Sequence, residues 1–280
     1  MEYALLYAEG TDALPYVAAD DNVGEWVDEV VARGVSEFGE RLRPEQDATT
    51  VRVRGGELLV SDGPFTESKE SIGGFDVIDA RDLDEAIEIA SRHPVASFGR
   101  VEVRPFMRWP DAEPGARIVP AGFAERVPAG RRYLLLVIVD PTGERPASDG
   151  ADADNDPEAW VTEMDGRGVR LFGEVLRGPE DATFVRRRNG EVLVADGPFT
   201  EAKEWIAGFD LLEVADLAEA IEVASKHPMA RGGTLELRPL WPFDPHEDHT
   251  ERVEREAAEV AVRLEPRAAD AVGAVAGAGS

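Results

Sequence analysis

The chain contains the same sequence twice. Residues 36–105 align without a gap on residues 170–239 at a constant offset of 134, and about 42 of the 70 paired positions are identical. Solenoid repeats run to ~20–50 residues and bury a core only by stacking, whereas a repeat of this length is large enough to be a small domain. Two similar domains on one chain pack as a fused dimer, with a pseudo-two-fold relation and one shared interface. The longest uninterrupted identity is Asp62-Gly63-Pro64-Phe65-Thr66-Glu67 against Asp196-Gly197-Pro198-Phe199-Thr200-Glu201, a loop-like string.

The elements of one copy follow from periodicity. Tyr3-Ala4-Leu5-Leu6-Tyr7 suits a buried strand, matched by the apolar run from Tyr133 to Val139 at an offset of 130. The second copy therefore carries four extra residues in the polar loop that starts at Pro141-Thr142-Gly143. Trp26, Val27, Val30 and Val31 share one face of a helix that stops near Gly34; Trp160, Val161 and Met164 repeat it before Gly168. Val51 and Val53 alternate with Arg52 and Arg54, and Gly55-Gly56 (Asn189-Gly190 in the second copy) is a two-residue hairpin turn leading into Leu58-Leu59-Val60. Strands follow over 72–78 and 206–212. Leu83, Ala86, Ile87 and Ala90 then form a helical stripe with Asp82 as N-cap, repeated after Asp216, and His93-Pro94 and His227-Pro228 end these helices. Val101-Glu102-Val103-Arg104-Pro105 and its counterpart alternate as closing strands.

This order predicts an α+β fold: two ferredoxin-like repeats, each an antiparallel sheet with helices on one face, packed sheet to sheet as an intramolecular pseudo-dimer, a dimeric α+β barrel. The expected divisions are a first domain over 1–105, a Pro/Gly-rich linker over 106–130, a second domain over 131–240, and a C-terminal helix with an unordered Ala/Gly tail over 241–280. In the linker, Trp109, Ile118 and Phe123 predict a segment that lies against the domains.

Composition narrows the function. No cysteine is present, which removes disulfides, thiolate nucleophiles and cysteine-bound zinc. A net charge of −27 repels phosphate backbones, so no nucleic-acid partner is expected, and Arg186-Arg187-Arg188 reads as a strand that splits its charges between two faces. With no apolar run of spanning length and no signal-like start, a cytoplasmic, membrane-free protein is expected. His246 and His249 lie outside both repeats and are read as a polar link rather than a metal site; no cofactor is expected.

The strings Asp62-Gly63-Pro64-Phe65-Thr66-Glu67-Ser68-Lys69-Glu70 and Asp196-Gly197-Pro198-Phe199-Thr200-Glu201-Ala202-Lys203-Glu204 closely resemble the signature of the DGPF branch of YciI-related (YCII) proteins, as do Gly73-Gly74-Phe75 and the closing Val101–Pro105 run. The resemblance covers both copies and implies the dimeric α+β barrel. It also implies kinship with small isomerases, a proposed His-Asp pair in a cleft, and a setting beside extracytoplasmic-function sigma factors. The sequence departs from that pair: Trp26 and Trp160 stand where the helix histidine is expected, and His93 and His227 stand where the aspartate is expected.

Two readings of the signature remain open. Asp, Gly, Pro and Phe suffice for a structural turn with an aromatic anchor. Alternatively the loop lines a cleft at the interface, with Asp62, Phe65, Thr66, Glu67, Lys69 and Glu70 in one copy and Asp196, Phe199, Thr200, Glu201, Lys203 and Glu204 in the other as ligand-binding groups. Trp26 and Trp160 are core residues or stacking platforms, and His93 and His227 are helix caps or acid-base groups. Ser71 faces Trp205, and Thr50 faces Phe184, so the two clefts are expected to differ, with one filled. The expected function is binding of an unidentified small molecule, with catalytic residues unassigned; the alternative is a regulatory module that engages a sigma factor.

Overall fold

The computed structural model describes residues 1–10, 13–17, 21–64, 70–110, 113, 115–139, 156–197, 204–242, 244–247, 249–260, 268 and 270–272. The first repeat comprises β1 (Glu2–Gly10), α1 (Val23–Ala32), β2 (Ser36–Arg41), β3 (Thr49–Arg54), β4 (Glu57–Asp62), β5 (Glu70–Asp79), α2 (Leu83–Arg92), α3 (Val95–Phe98) and β6 (Arg100–Pro105). The second comprises β7 (Arg131–Val139), α4 (Pro157–Arg167), β8 (Arg170–Val175), β9 (Thr183–Arg188), β10 (Glu191–Asp196), β11 (Trp205–Val214), α5 (Leu217–Lys226), α6 (Met229–Gly232) and β12 (Thr234–Pro239), followed by α7 (His249–Val260). Local chemistry sets the boundaries. Asp82 and Asp216 accept the Glu85 and Glu219 amides at 2.9 and 3.0 Å, capping α2 and α5. Both hairpin turns hold two residues at positive φ, Gly55-Gly56 in one copy and Asn189-Gly190 in the other.

β2 and β8 were not legible in the sequence, and they complete a four-stranded ferredoxin-like order, β6-β1-β5-β2 and β12-β7-β11-β8. The hairpins do not stay at home. The full sheets run β10-β9-β6-β1-β5-β2 and β4-β3-β12-β7-β11-β8, so each repeat gives its hairpin to its sister's sheet. β3 pairs with β12 through Thr49–Leu237 and Val51–Leu235, and β9 pairs with β6 through Thr183–Val103 and Val185–Val101. Burial explains the exchange: Val51 packs, fully buried, into the helix-covered core of the second repeat, and Val185 into that of the first.

Arginines fasten the crossing. Arg54 donates to the carbonyls of Ala230, Arg231 and Gly233, and Arg188 to those of Ala96, Ser97, Phe98 and Gly99. Each therefore satisfies the free C-terminal carbonyls of a short helix in the opposite repeat. The two sheets face one another across a third core, where Phe38, Phe75, Phe106, Phe172 and Phe209 meet at tilted or edge-on angles. The inter-repeat segment closes one side of it, with Phe123 wedged between Phe38 and Phe172 at 5.1 and 5.0 Å. At the other end of the chain, Ala271 is packed into the core of the second repeat.

A repeat that places its hairpin in another sheet is incomplete alone. Expressed by itself, the fragment 1–130 is expected to form a homodimer by trading β3–β4 hairpins onto β6, which accepts the near-identical β9 in the intact chain. Sedimentation equilibrium checks this: a folded monomer at micromolar concentration would show that the hairpin can close on its own sheet.

Candidate functional site

The signature segments sit where the chain changes sheets, between β4 and β5 and between β10 and β11. Asp62 and Asp196 end exposed edge strands. Gly63, at φ 85°, donates its amide to Ala48 while its carbonyl accepts the Thr50 hydroxyl at 2.9 Å, and Gly197 repeats the first bond to Ala182. Asp62 accepts the Ala268 amide at 2.8 Å. These bonds match the structural-turn reading. Phe65, Thr66, Glu67, Lys69, Phe199, Thr200, Glu201 and Lys203 lie outside the described residues, as does the side chain of Glu70; Glu204 is partly buried just before β11.

The histidines and tryptophans do converge. Trp26 is 4% exposed, donates its indole N–H to the Ile89 carbonyl at 3.0 Å and meets the His93 ring edge-on at 4.6 Å. Trp160 and His227 repeat the contact at 4.5 Å. The helix-end imidazoles do not cap carbonyls: Nδ1 of His93 accepts the Val95 amide at 3.2 Å, and Nδ1 of His227 accepts the Met229 amide at 3.1 Å. The proton of each neutral ring thus sits on Nε2. Burial lowers the His93 pKa to about 3 and the His227 pKa to about 4, so neither ring carries a charge that would complement a helix dipole near neutral pH.

Beside each pair stands an aspartate that sequence reasoning missed, Asp76 on β5 and Asp210 on β11. Their strand neighbours are glycines for a steric reason. A Cβ at Gly39 would fall 1.9 Å from Oδ1 of Asp76, and one at Gly173 would fall 2.1 Å from Oδ1 of Asp210. The signal in sequence was the shared Phe-Gly-Glu and Gly-Phe-Asp strings, which are identical in both copies but resemble ordinary strand residues.

From there the halves diverge. In the second repeat Arg170 donates to Asp210 at 2.6 Å and also pairs with Asp165, while His227 Nε2 lies 3.9 Å from Asp210. Asp210 is 6% exposed. In the first repeat Ser36 stands where Arg170 does, and Asp76 is partly open to solvent at the β2 edge. Its partner is Tyr7, whose hydroxyl donates to it at 2.7 Å and whose ring stacks on His93 at 4.0 Å and 11°. Among the described residues no cation pairs with Asp76. Desolvation raises its pKa to about 7; the Tyr7 hydrogen bond opposes the shift and nearby Glu40 adds to it. Glu40 is itself raised to about 7 by burial, against the pull of Arg132. For Asp210, burial also pushes the carboxyl up, while Arg170 pulls it back.

The first repeat therefore presents an uncompensated carboxyl group, a phenol and a neutral imidazole; the second presents an internal ion pair at the same place. A carboxyl poised near pH 7 that accepts a phenol O–H can give or take a proton and can bind a polar ligand.

Together these features define a class: a duplicated α+β barrel whose matched polar clusters differ, with an ion pair at Asp210 and, among the described residues, no matching cation at Asp76. The YCII-related domain model matches residues 1–110 and 132–244, and the chain belongs to that family. It is 44% identical over 75 residues to "Uncharacterized protein R00369" of Rhizobium meliloti (strain 1021), a match spanning 26% of this chain and 60% of that protein. A solved structure named "Putative Chlorite dismutase TA0507" superposes with a TM-score of 0.37 at 13% identity, covering 86% of this chain and 94% of that one. Among the described residues no helix is long and apolar enough to cross a membrane.

Proposed function

We propose that this chain, a tandem member of the DGPF branch of its family, binds a small polar molecule in the first repeat, at Asp76, Tyr7 and His93. The observation that carries this reading is the asymmetry of two otherwise matched sites: Asp210 is neutralised by Arg170, whereas Asp76 has no such cation and keeps an open face. A buried ionisable group without compensation costs stability, and such groups concentrate where they contact ligands. With Asp76 protonated below about pH 7, the site offers a carboxyl O–H beside the Tyr7 phenol to an acceptor-rich ligand such as a carbonyl or carboxylate compound. The signature loops then serve as sheet-to-sheet connections, and the second repeat as scaffold.

Thermal-shift screening against a metabolite panel tests this. A ligand that stabilises the native chain should bind Asp76→Ala about tenfold or more weaker, the worth of one buried hydrogen bond, and should bind Asp210→Ala unchanged. Equal losses in both variants would place the ligand elsewhere. If no compound stabilises the chain while a sigma factor co-purifies with it, the regulatory-module reading replaces this one.

A further inference from the structure

We propose that the groove between the inter-repeat segment and β8 is a second binding site, for a small organic monoanion that carries a flat ring. The groove has a volume of about 310 Å³ between the inter-repeat segment and β8, and its polar wall contains Arg108, Arg117, Trp109 and Glu174. Three arginines line the groove on a chain of net charge −27; Arg170 is committed to Asp210 and Asp165, which leaves Arg108 and Arg117 to face a ligand. Both are pinned from behind. Arg108 pairs with Glu2 and donates to the Ala116 carbonyl at 3.0 Å, and Arg117 pairs with Glu37; the side chains of Glu2 and Glu37 are 3% and 5% exposed. Glu2 also accepts the Ile118 amide at 2.8 Å, which ties the segment down. The guanidinium side chains themselves remain 45% and 50% exposed.

An arginine held by a buried carboxylate has already lost its rotamer freedom, so its remaining N–H edge can take a carboxylate with little further ordering cost. Trp109 supplies a ring that is 51% exposed, oriented by its N–H bond to Glu174 at 3.1 Å. Ile118 and Phe172 supply an apolar floor. The charge balance selects the ligand. The exposed N–H edges of Arg108 and Arg117 attract one acceptor group, while Glu2, Glu37, Glu174 and the chain's net charge of −27 penalise every further negative charge, so a single carboxylate is favoured over a polyanion. One carboxylate attached to an apolar plane satisfies the forks and the indole together.

The test is a titration of the intact chain followed at the Trp109 indole N–H resonance, assigned by its loss in Trp109→Phe. Benzoate is expected to move that resonance saturably, with benzamide and inorganic phosphate each about tenfold or more weaker. Arg117→Gln should weaken benzoate by a similar factor. Because that change also strips Glu37 of its partner, Ala116→Phe provides an independent variant that narrows the groove without removing a charge, and it should abolish the shift. Asp76→Asn should leave the titration unaltered, which separates this site from the one in the first repeat. Benzamide binding as tightly as benzoate, phosphate matching benzoate, or an unchanged titration in Ala116→Phe would each overturn the proposal.

Discussion

Replacing Arg238 with alanine is expected to destabilise the chain by about 3–5 kcal/mol, the usual result of breaking one side of a buried ion pair. Arg238 is 2% exposed, donates to the Arg43 carbonyl at 2.7 Å and pairs with Glu236 at 3.3 Å. Arg43 lies where the first repeat leaves its own sheet, so this one side chain fastens β12 of the second repeat to the crossing point of the first. Arg104 does the same in reverse, donating to the Arg177 carbonyl at 2.9 Å and pairing with Glu102. Alanine at 238 would leave Glu236 without its guanidinium and the Arg43 carbonyl without its donor. The double change Glu236→Gln with Arg238→Met removes the charge along with its partner and should recover at least half of the loss. Urea unfolding with matched slopes measures both. A loss below about 1 kcal/mol for the single change would show that Arg238 contributes little to a crossing held by the β3–β12 pairing, the Arg54 bonds and apolar packing.

These clamps explain why the architecture was legible in the sequence and its wiring was not. Duplication, the hairpin turns and the aspartate caps are local patterns, and each appears in the structure where the residues placed it. Which sheet a hairpin joins is a long-range choice. It depends on Val51 and Val185 finding a core more than eighty residues away, and no periodicity encodes that address. β2 and β8 escaped notice because a glycine interrupts their alternation, for the sake of an aspartate on the neighbouring strand. The site was half legible. Trp26 meets His93 and Trp160 meets His227, at the positions where the chain departs from the pair that the resemblance implied. Asp76 and Tyr7 were hidden because a carboxylate in a strand becomes notable only once its missing counter-ion is seen, and that absence follows from Ser36 replacing an arginine one strand away.

The same substitution yields a pH effect of opposite sign to ordinary acid denaturation. Asp76 has a folded pKa of about 7 against an unfolded value near 3.9, so between about pH 4 and pH 7 the unfolded chain ionises while the folded chain retains the proton. Ionisation of the unfolded form alone favours unfolding. The group's contribution is thus fully present below about pH 4, falls as pH rises, and is exhausted above about pH 7, a total of order 4 kcal/mol. Asparagine keeps an acceptor for the Tyr7 hydroxyl but cannot ionise. Asp76→Asn should therefore gain on the native chain across this range, with the difference growing from pH 4 to pH 7 and level beyond. His93 and His227, whose depressed pKa values remove stability as pH falls below about 6.5, act in both proteins and cancel in the difference; Glu40, which repels the ionised Asp76, is relieved of that repulsion in Asp76→Asn, and this adds to the gain at the upper end of the range. The equivalent change Asp210→Asn should give no such gain, since it deprives the buried Arg170 of its partner. Parallel urea titrations at five pH values read both differences. A flat Asp76→Asn difference from pH 4 to pH 8 would mean that the carboxyl ionises as freely in the folded protein as in water, and the case for a poised group in the first repeat would fall with it.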